Sequence, residues 1–274
     1  MHATRLMFEC YDLGLTPLGP IIAAIEAARP FAREVIVHTS VSQWRSILST
    51  IHNACPDVRL RPGLKASPVA LLPGDEGTWT RYCHAMGGAS RSCDSGDVWM
   101  EIESWYAAQE QAGRSSEWWA AWVERLSLMS VSYERVWAHH PTVLWDGRRD
   151  AVVKMIAEKI PNFHWVFAYD AQPMLQDGEA ERRLRMLEIV GADRCASHAY
   201  VTTPKAEVND WKDHWPMGML SRALLRDESR FLPAHPVSLY LGSGGGDADE
   251  DGVPDRAQAM TRLAKLLNKK GDKA

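Results

Sequence analysis

Short runs of β-forming residues alternate with helical patterns from one end of this chain to the other, and that alternation limits the folds open to it. The runs are Arg5 to Tyr11, Glu34 to Thr39, Asp57 to Arg61, Asp97 to Glu103, Arg135 to His140, His164 to Asp170, Arg194 to Val201 and Pro236 to Leu241. Between them apolar residues recur at helical spacing, as in Trp44, Ile47, Leu48 and Ile51, in Trp118, Trp122, Leu126 and Met129, and in Met260, Leu263, Ala264 and Leu267. Each set gives a helix one face to bury. Pro30, Pro56, Pro161, Gly191 and Pro236 fall where helices stop or strands open. Strands that alternate with helices lie parallel, because a crossover is needed to bring the chain back to the same edge. Eight such units without a spare antiparallel edge predict an α/β chain folded as a closed (β/α)8 (TIM) barrel; an open doubly wound sheet is the competing arrangement. No linker divides residues 1–267, which read as a single domain, and the basic residues 268–274 (NKKGDKA) read as a frayed tail.

A length of 274 residues suits one such barrel. With 31 Lys+Arg against 35 Asp+Glu the net charge is -4, which lacks the long-range attraction to phosphate that nucleic-acid binding needs. No apolar run has the length of a membrane span, and the first residues (MHATRLMFECYD) carry no signal-peptide pattern, so a cytoplasmic or particle-associated location is expected. The cysteines Cys10, Cys55, Cys83, Cys93 and Cys195 are scattered, with no CxxC pair, which suits a reducing compartment. Cys10 has the parity of the helix-facing side, which argues against a nucleophile there. Tryptophan is in excess at 12 residues; its ring either fills a core or stacks on a flat ligand such as a sugar. Trp44, Trp118 and Trp122 lie on helix stripes and read as core, whereas Trp105 and Trp145 follow strands and can form a stacking platform.

Strand parity then sorts the polar residues. In DVWMEIE, Val98, Met100 and Ile102 share one face, leaving Trp99, Glu101 and Glu103 on the other. In the first strand Met7, Glu9 and Tyr11 oppose Leu6, Phe8 and Cys10; in the sixth, Val166, Ala168 and Asp170 oppose Trp165, Phe167 and Tyr169. Arg59 and Arg61 oppose Val58 and Leu60. His38, His139 and His140, His198 and Tyr200, and Ser238 and Tyr240 complete the polar set near the strand ends. Barrel enzymes place their chemistry at the carboxyl ends of the strands, so Glu9, Glu103 and Asp170 are the candidate catalytic carboxylates. Tyr11, Arg61, Trp105, His140, His198 and Tyr240 are candidate substrate contacts. The structural alternative makes Glu101 and Arg59 a buried ion pair one layer lower and the histidines ordinary loop or capping residues.

With paired carboxylates and aromatic walls, the chain resembles (β/α)8 glycoside hydrolases over its whole length at the level of architecture. The residues that carry this are the glutamates of DVWMEIESW and the aspartate of HWVFAYDAQ. The resemblance implies a carbohydrate substrate, with Glu103 as acid/base and Asp170 or Glu9 as its partner, the separation of the two deciding retention or inversion. The segment CASHAYVTT departs from the largest clan of such enzymes by lacking an acid after the seventh strand, which shifts weight to Asp170 or Glu9.

After the eighth strand, DADEDG fits the calcium-loop pattern D-x-[DN]-x-[DN]-G, in which oxygen ligands at alternate positions surround a hard cation. The segment DADEDGVPD resembles thrombospondin type-3 and dockerin loops. That resemblance implies calcium held by Asp247, Asp249, Asp251, the Val253 carbonyl and Asp255, although Gln258 stands where an EF-hand has glutamate. The alternative is a solvated acidic loop leading into a final helix. Two other functions fit the same architecture: a metal-dependent hydrolase or isomerase using His38, His140 and His198, and a non-catalytic barrel acting as a structural or binding module, for example in a viral particle.

Overall fold

The structure, a computed structural model, describes residues 5–10, 18–30, 32–65, 75–101, 115–139, 150–169, 185, 187–200 and 238–240. At Glu9, Glu101, His139, Ala192 and residues 167–169, 196–200 and 238–240 it describes the backbone. The strands are β1 (Arg5–Cys10), β2 (Glu34–Thr39), β3 (Arg59–Lys65), β4 (Asp97–Glu101), β5 (Arg135–His139), β6 (Phe163–Tyr169), β7 (Cys195–Tyr200) and β8 (Ser238–Tyr240). All pair in parallel, each with its neighbour in sequence, so the sheet curls as its right-handed twist accumulates. Ser238–Tyr240 pairs in parallel with both β7 and β1.

Among the described residues five helices precede the strands that follow them: α1 (Leu18–Ala28), α2 (Trp44–Ala54), α3 (Glu76–Ser92), α4 (Ser116–Ser130) and α5 (Asp150–Lys159). The stripe expected on α2 is buried in full, with Trp44, Ile47, Leu48 and Ile51 facing the sheet. Local chemistry sets the starts. Asp75 accepts a hydrogen bond from the Thr78 amide at 2.9 Å, and Ser115 accepts one from the Trp118 amide at 3.3 Å, each satisfying a donor that the first helical turn leaves unpaired. Helical residues 187–190 stop at Gly191, whose φ of +88° is the left-handed conformation that glycine adopts without a Cβ clash; its amide donates to the Leu187 carbonyl.

The core has two layers, and strand parity separates them. Leu6, Phe8 and Cys10, Val98 and Met100, and Trp165 pack between sheet and helices. Met7, Ile36, Trp99, Trp137 and Val166 form a second cluster inside the curl. The alternation expected for these strands is therefore observed wherever side chains are described.

The third strand differs from its sequence reading. It runs over Arg59–Lys65 rather than Asp57 to Arg61, continuing through Pro62 and Gly63. Proline usually ends a central strand because it lacks an amide donor. Here the ladder continues past it, and Gly63 fits against its neighbour: a Cβ at Gly63 would lie 2.7 Å from His38 Cδ2. The longer strand moves Arg61 from the expected carboxyl end to the third position of β3, in register with Ile36.

Candidate active site

At the amino-terminal end of the curl, charged side chains alternate from strand to strand. Glu34 pairs with both Arg5 and Arg61, the latter at 2.6 Å, and Arg135 Nε donates to Asp97 Oδ1 at 2.8 Å. Arg61 also donates to Ser95 Oγ at 2.9 Å, and that hydroxyl donates to the Asp97 carbonyl at 2.7 Å. Burial pulls the Arg5 guanidinium below its ordinary pKa, while Glu34 and Asp97 act in the opposite direction. Arg61, expected among the substrate contacts, is thus a buried member of this network.

Above the charges lies an aromatic floor. Trp99 and Trp137 stack with centroids 5.1 Å apart and planes 11° apart, and the Arg5 guanidinium sits 5.9 Å and 5.3 Å from their ring centres. These distances suit cation–π attraction in a site shielded from water. His164 meets Trp137 edge-on at 4.5 Å. Sequence parity placed Trp99 inside but did not foresee its stacking partner, which depends on register between β4 and β5.

Toward the carboxyl ends the register assembles the positions that carry polar residues. Glu9 is in register with His38, which is in turn in register with Gly63. The His38 ring is fully buried. Glu101 lies between Lys65 and His139, so Glu101 and Arg59 do not share a register position as the buried-pair reading required. Arg59 is exposed and in register with Glu34, six residues before Lys65; at about 3.3 Å per residue that is roughly 20 Å away. His198 is in register with Ala168 and Ser238, and Tyr200 with Tyr240. Tyr11, Glu103, Trp105, His140, Asp170, Asp247, Asp249, Asp251, Val253 and Asp255 lie outside the described residues.

Cys83, Cys93 and Cys195 carry little nucleophilic character. Burial pushes Cys83 and Cys93 up to about 11 and raises Cys195 further, so all three stay protonated at neutral pH. No group of three His, Cys, Asp or Glu side chains among the described residues is arranged to hold a metal. No helix among them is long and apolar enough to cross a membrane.

No protein-family model matches the sequence, and no curated protein matches it. Among solved structures the chain is similar to an endo-beta-N-acetylglucosaminidase from Cordyceps militaris in apo form. The TM-score is 0.54 at 8% identity, over 98% of this chain and 92% of that one. It is also similar to a beta-mannanase from Thermomonospora fusca, with a TM-score of 0.49 at 11% identity, over 92% of this chain and 82% of that one. Both are glycoside hydrolases, and at 8% identity the likeness to the first is one of fold.

Proposed function

We propose that the chain forms a single-domain (β/α)8 barrel, closed through β8, that hydrolyses glycosidic bonds at the carboxyl ends of its strands. The observation that carries this reading is the common direction of β1, β4 and β6. Glu9 is the penultimate residue of β1, Glu103 follows β4 by two residues and Asp170 follows β6 by one. Parallel strands put such positions at one end of a barrel. In this reading Glu103 protonates the leaving oxygen, while Asp170 or Glu9 attacks the anomeric carbon or activates water. Trp105 and Tyr240 provide surfaces for the sugar ring, and Tyr11, His140 and His198 hydrogen-bond its hydroxyls. The whole-length fold likeness to an endo-beta-N-acetylglucosaminidase supports a carbohydrate substrate for such a mouth.

The test is release of reducing ends from β-linked oligosaccharides, including N-acetylglucosamine- and mannose-containing ones. Loss of a general acid costs about a hundredfold or more, so Glu103→Gln should lower the rate by at least that factor at an unchanged melting temperature. A parent protein inactive on the whole panel, or a Glu103→Gln variant as fast as the parent, overturns the assignment.

The same proposal gives the Asp247 to Asp255 loop a calcium ion, supported by the alternating carboxylates of its sequence. Calcium should then raise the melting temperature and a chelator lower it, and Asp249→Ala with Asp251→Ala should remove the response. An identical melting curve in calcium and in chelator leaves only a solvated acidic loop.

A further inference from the structure

Helix α3 from Trp79 to Arg91, the last turn of α4 and the turn after it line a groove of about 460 Å³ on the outer side of the sheet. In a parallel α/β fold helices run opposite to strands, so the Arg91 and Tyr133 end of this groove lies toward the amino ends of the strands, away from the proposed mouth. A volume of that size is ordinary for a small-molecule site. Its floor is Gly87, where the absence of a side chain leaves an opening. A Cβ there would lie 3.4 Å from Arg91 Nη1 and 3.8 Å from Tyr133 Oη, so a guanidinium and a phenol converge over the same spot.

Among the described residues the other ionisable groups of the lining are Cys83 and His84, and none is a carboxylate. At the amino-terminal end of α3, Asp75 caps the helix and Glu76 pairs with Arg125. Burial pushes Tyr133 up to about 12, with the Cys83 thiol adding to the rise, so its hydroxyl remains a donor at neutral pH. Trp79, Met129 and Leu128 supply the apolar wall, and Leu128 is left 67% exposed at the lip. An exposed leucine beside a donor-rich, acid-free opening is the pattern of an amphipathic ligand with an anionic head.

We infer that this groove binds a small aromatic carboxylate, its carboxyl group held by Arg91 and the Tyr133 hydroxyl and its ring lying against Trp79 and Met129. The inference is independent of the glycosidase reading, because none of its residues belongs to the proposed mouth. Indole-3-acetate is a suitable probe, followed by isothermal titration and ligand-detected NMR, with indole-3-acetamide as the uncharged comparison. A hydrogen-bonded charge contributes about one to two decades of affinity, so Arg91→Gln should weaken binding at least about tenfold, and the amide should bind the parent at least about tenfold more weakly than the acid. Gly87→Met fills the floor and should abolish binding. It should not lower the melting temperature, since glycine is a poorer helix former than methionine. Arg91 is exposed, so its substitution leaves folding unaffected even if the larger change at Gly87 does not. No binding of indole-3-acetate to the parent at about 10 mM overturns the inference. Equal affinity of the parent and Arg91→Gln, or of acid and amide, does the same.

Discussion

Asp97→Ala is expected to destabilise the protein by about 3–5 kcal/mol, the range for removing one partner of a buried ion pair. The Asp97 side chain is 1% exposed and accepts from Arg135 at 2.8 Å, and with Glu34 it is one of two carboxylates set among Arg5, Arg61 and Arg135. Among the described residues its loss leaves Arg5, Arg61 and Arg135 with Glu34 as their one paired anion at the amino-terminal end of the curl. Arg135, 37% exposed, can turn toward water. Arg5 cannot: its side chain is 9% exposed and lies beneath the Trp99 and Trp137 rings, so its charge would remain desolvated with Glu34 alone opposing it. Denaturant unfolding at constant m-value measures the cost. A loss below about 1 kcal/mol would show that the pair behaves as a hydrated surface bridge. Removing Asp97 and Arg135 together should cost less than the sum of the two single changes, since no unpaired partner of that bridge remains.

Arg194→Met should cost about 2–4 kcal/mol, because one side chain satisfies the end of a helix and the start of a strand at once. Its guanidinium donates to the carbonyls of Ala157 at 2.8 Å, Ile160 at 2.9 Å and Phe163 at 3.0 Å, with Nε donating to Phe163 as well. Carbonyls at the end of a helix have no partner within it, and a cation there also opposes the negative end of the helix dipole. Methionine keeps the stem and deletes every donor. The effect should be local before it is global: amides in the last turn of α5 and the first residues of β6 should lose exchange protection ahead of those in β1 and β2. Arg194→Lys should recover only a minor part, since an ammonium cannot reproduce the planar fork. Uniform loss of protection across all strands would place the contribution of Arg194 elsewhere.

The two substitutions act on features that differ in how readable they are from sequence. Which face of a strand each residue occupies is a local property, set by the two-residue repeat of the extended chain. Met7, Trp99 and Val166 could therefore be assigned to the interior, and Leu6, Phe8, Val98, Met100 and Trp165 to the helix side, from sequence alone; the same holds for the buried stripe of α2, set by the helical repeat. The parallel direction of the strands follows from alternation with helices and needs no coordinates either.

Register and partnership were decided by the tertiary structure. Where β3 ends depends on whether its neighbours can accept Pro62 and Gly63, and the space Gly63 leaves for His38 lies on another strand. That extension put Arg61 beside Glu34, 27 residues away in sequence, and separated Arg59 from Glu101. Arg194 reaches carbonyls 31 to 37 residues away, and the groove over Gly87 exists only because α3 and α4 lie side by side. For the proposed mouth, sequence supplied Glu103 and Asp170 through strand parity, and the structure added the register of Glu9 with His38 and the tryptophan floor below them. A residue's own repeat tells which way it faces; what it meets there is fixed by the stagger between strands, a sum of contacts that no single segment of the chain contains.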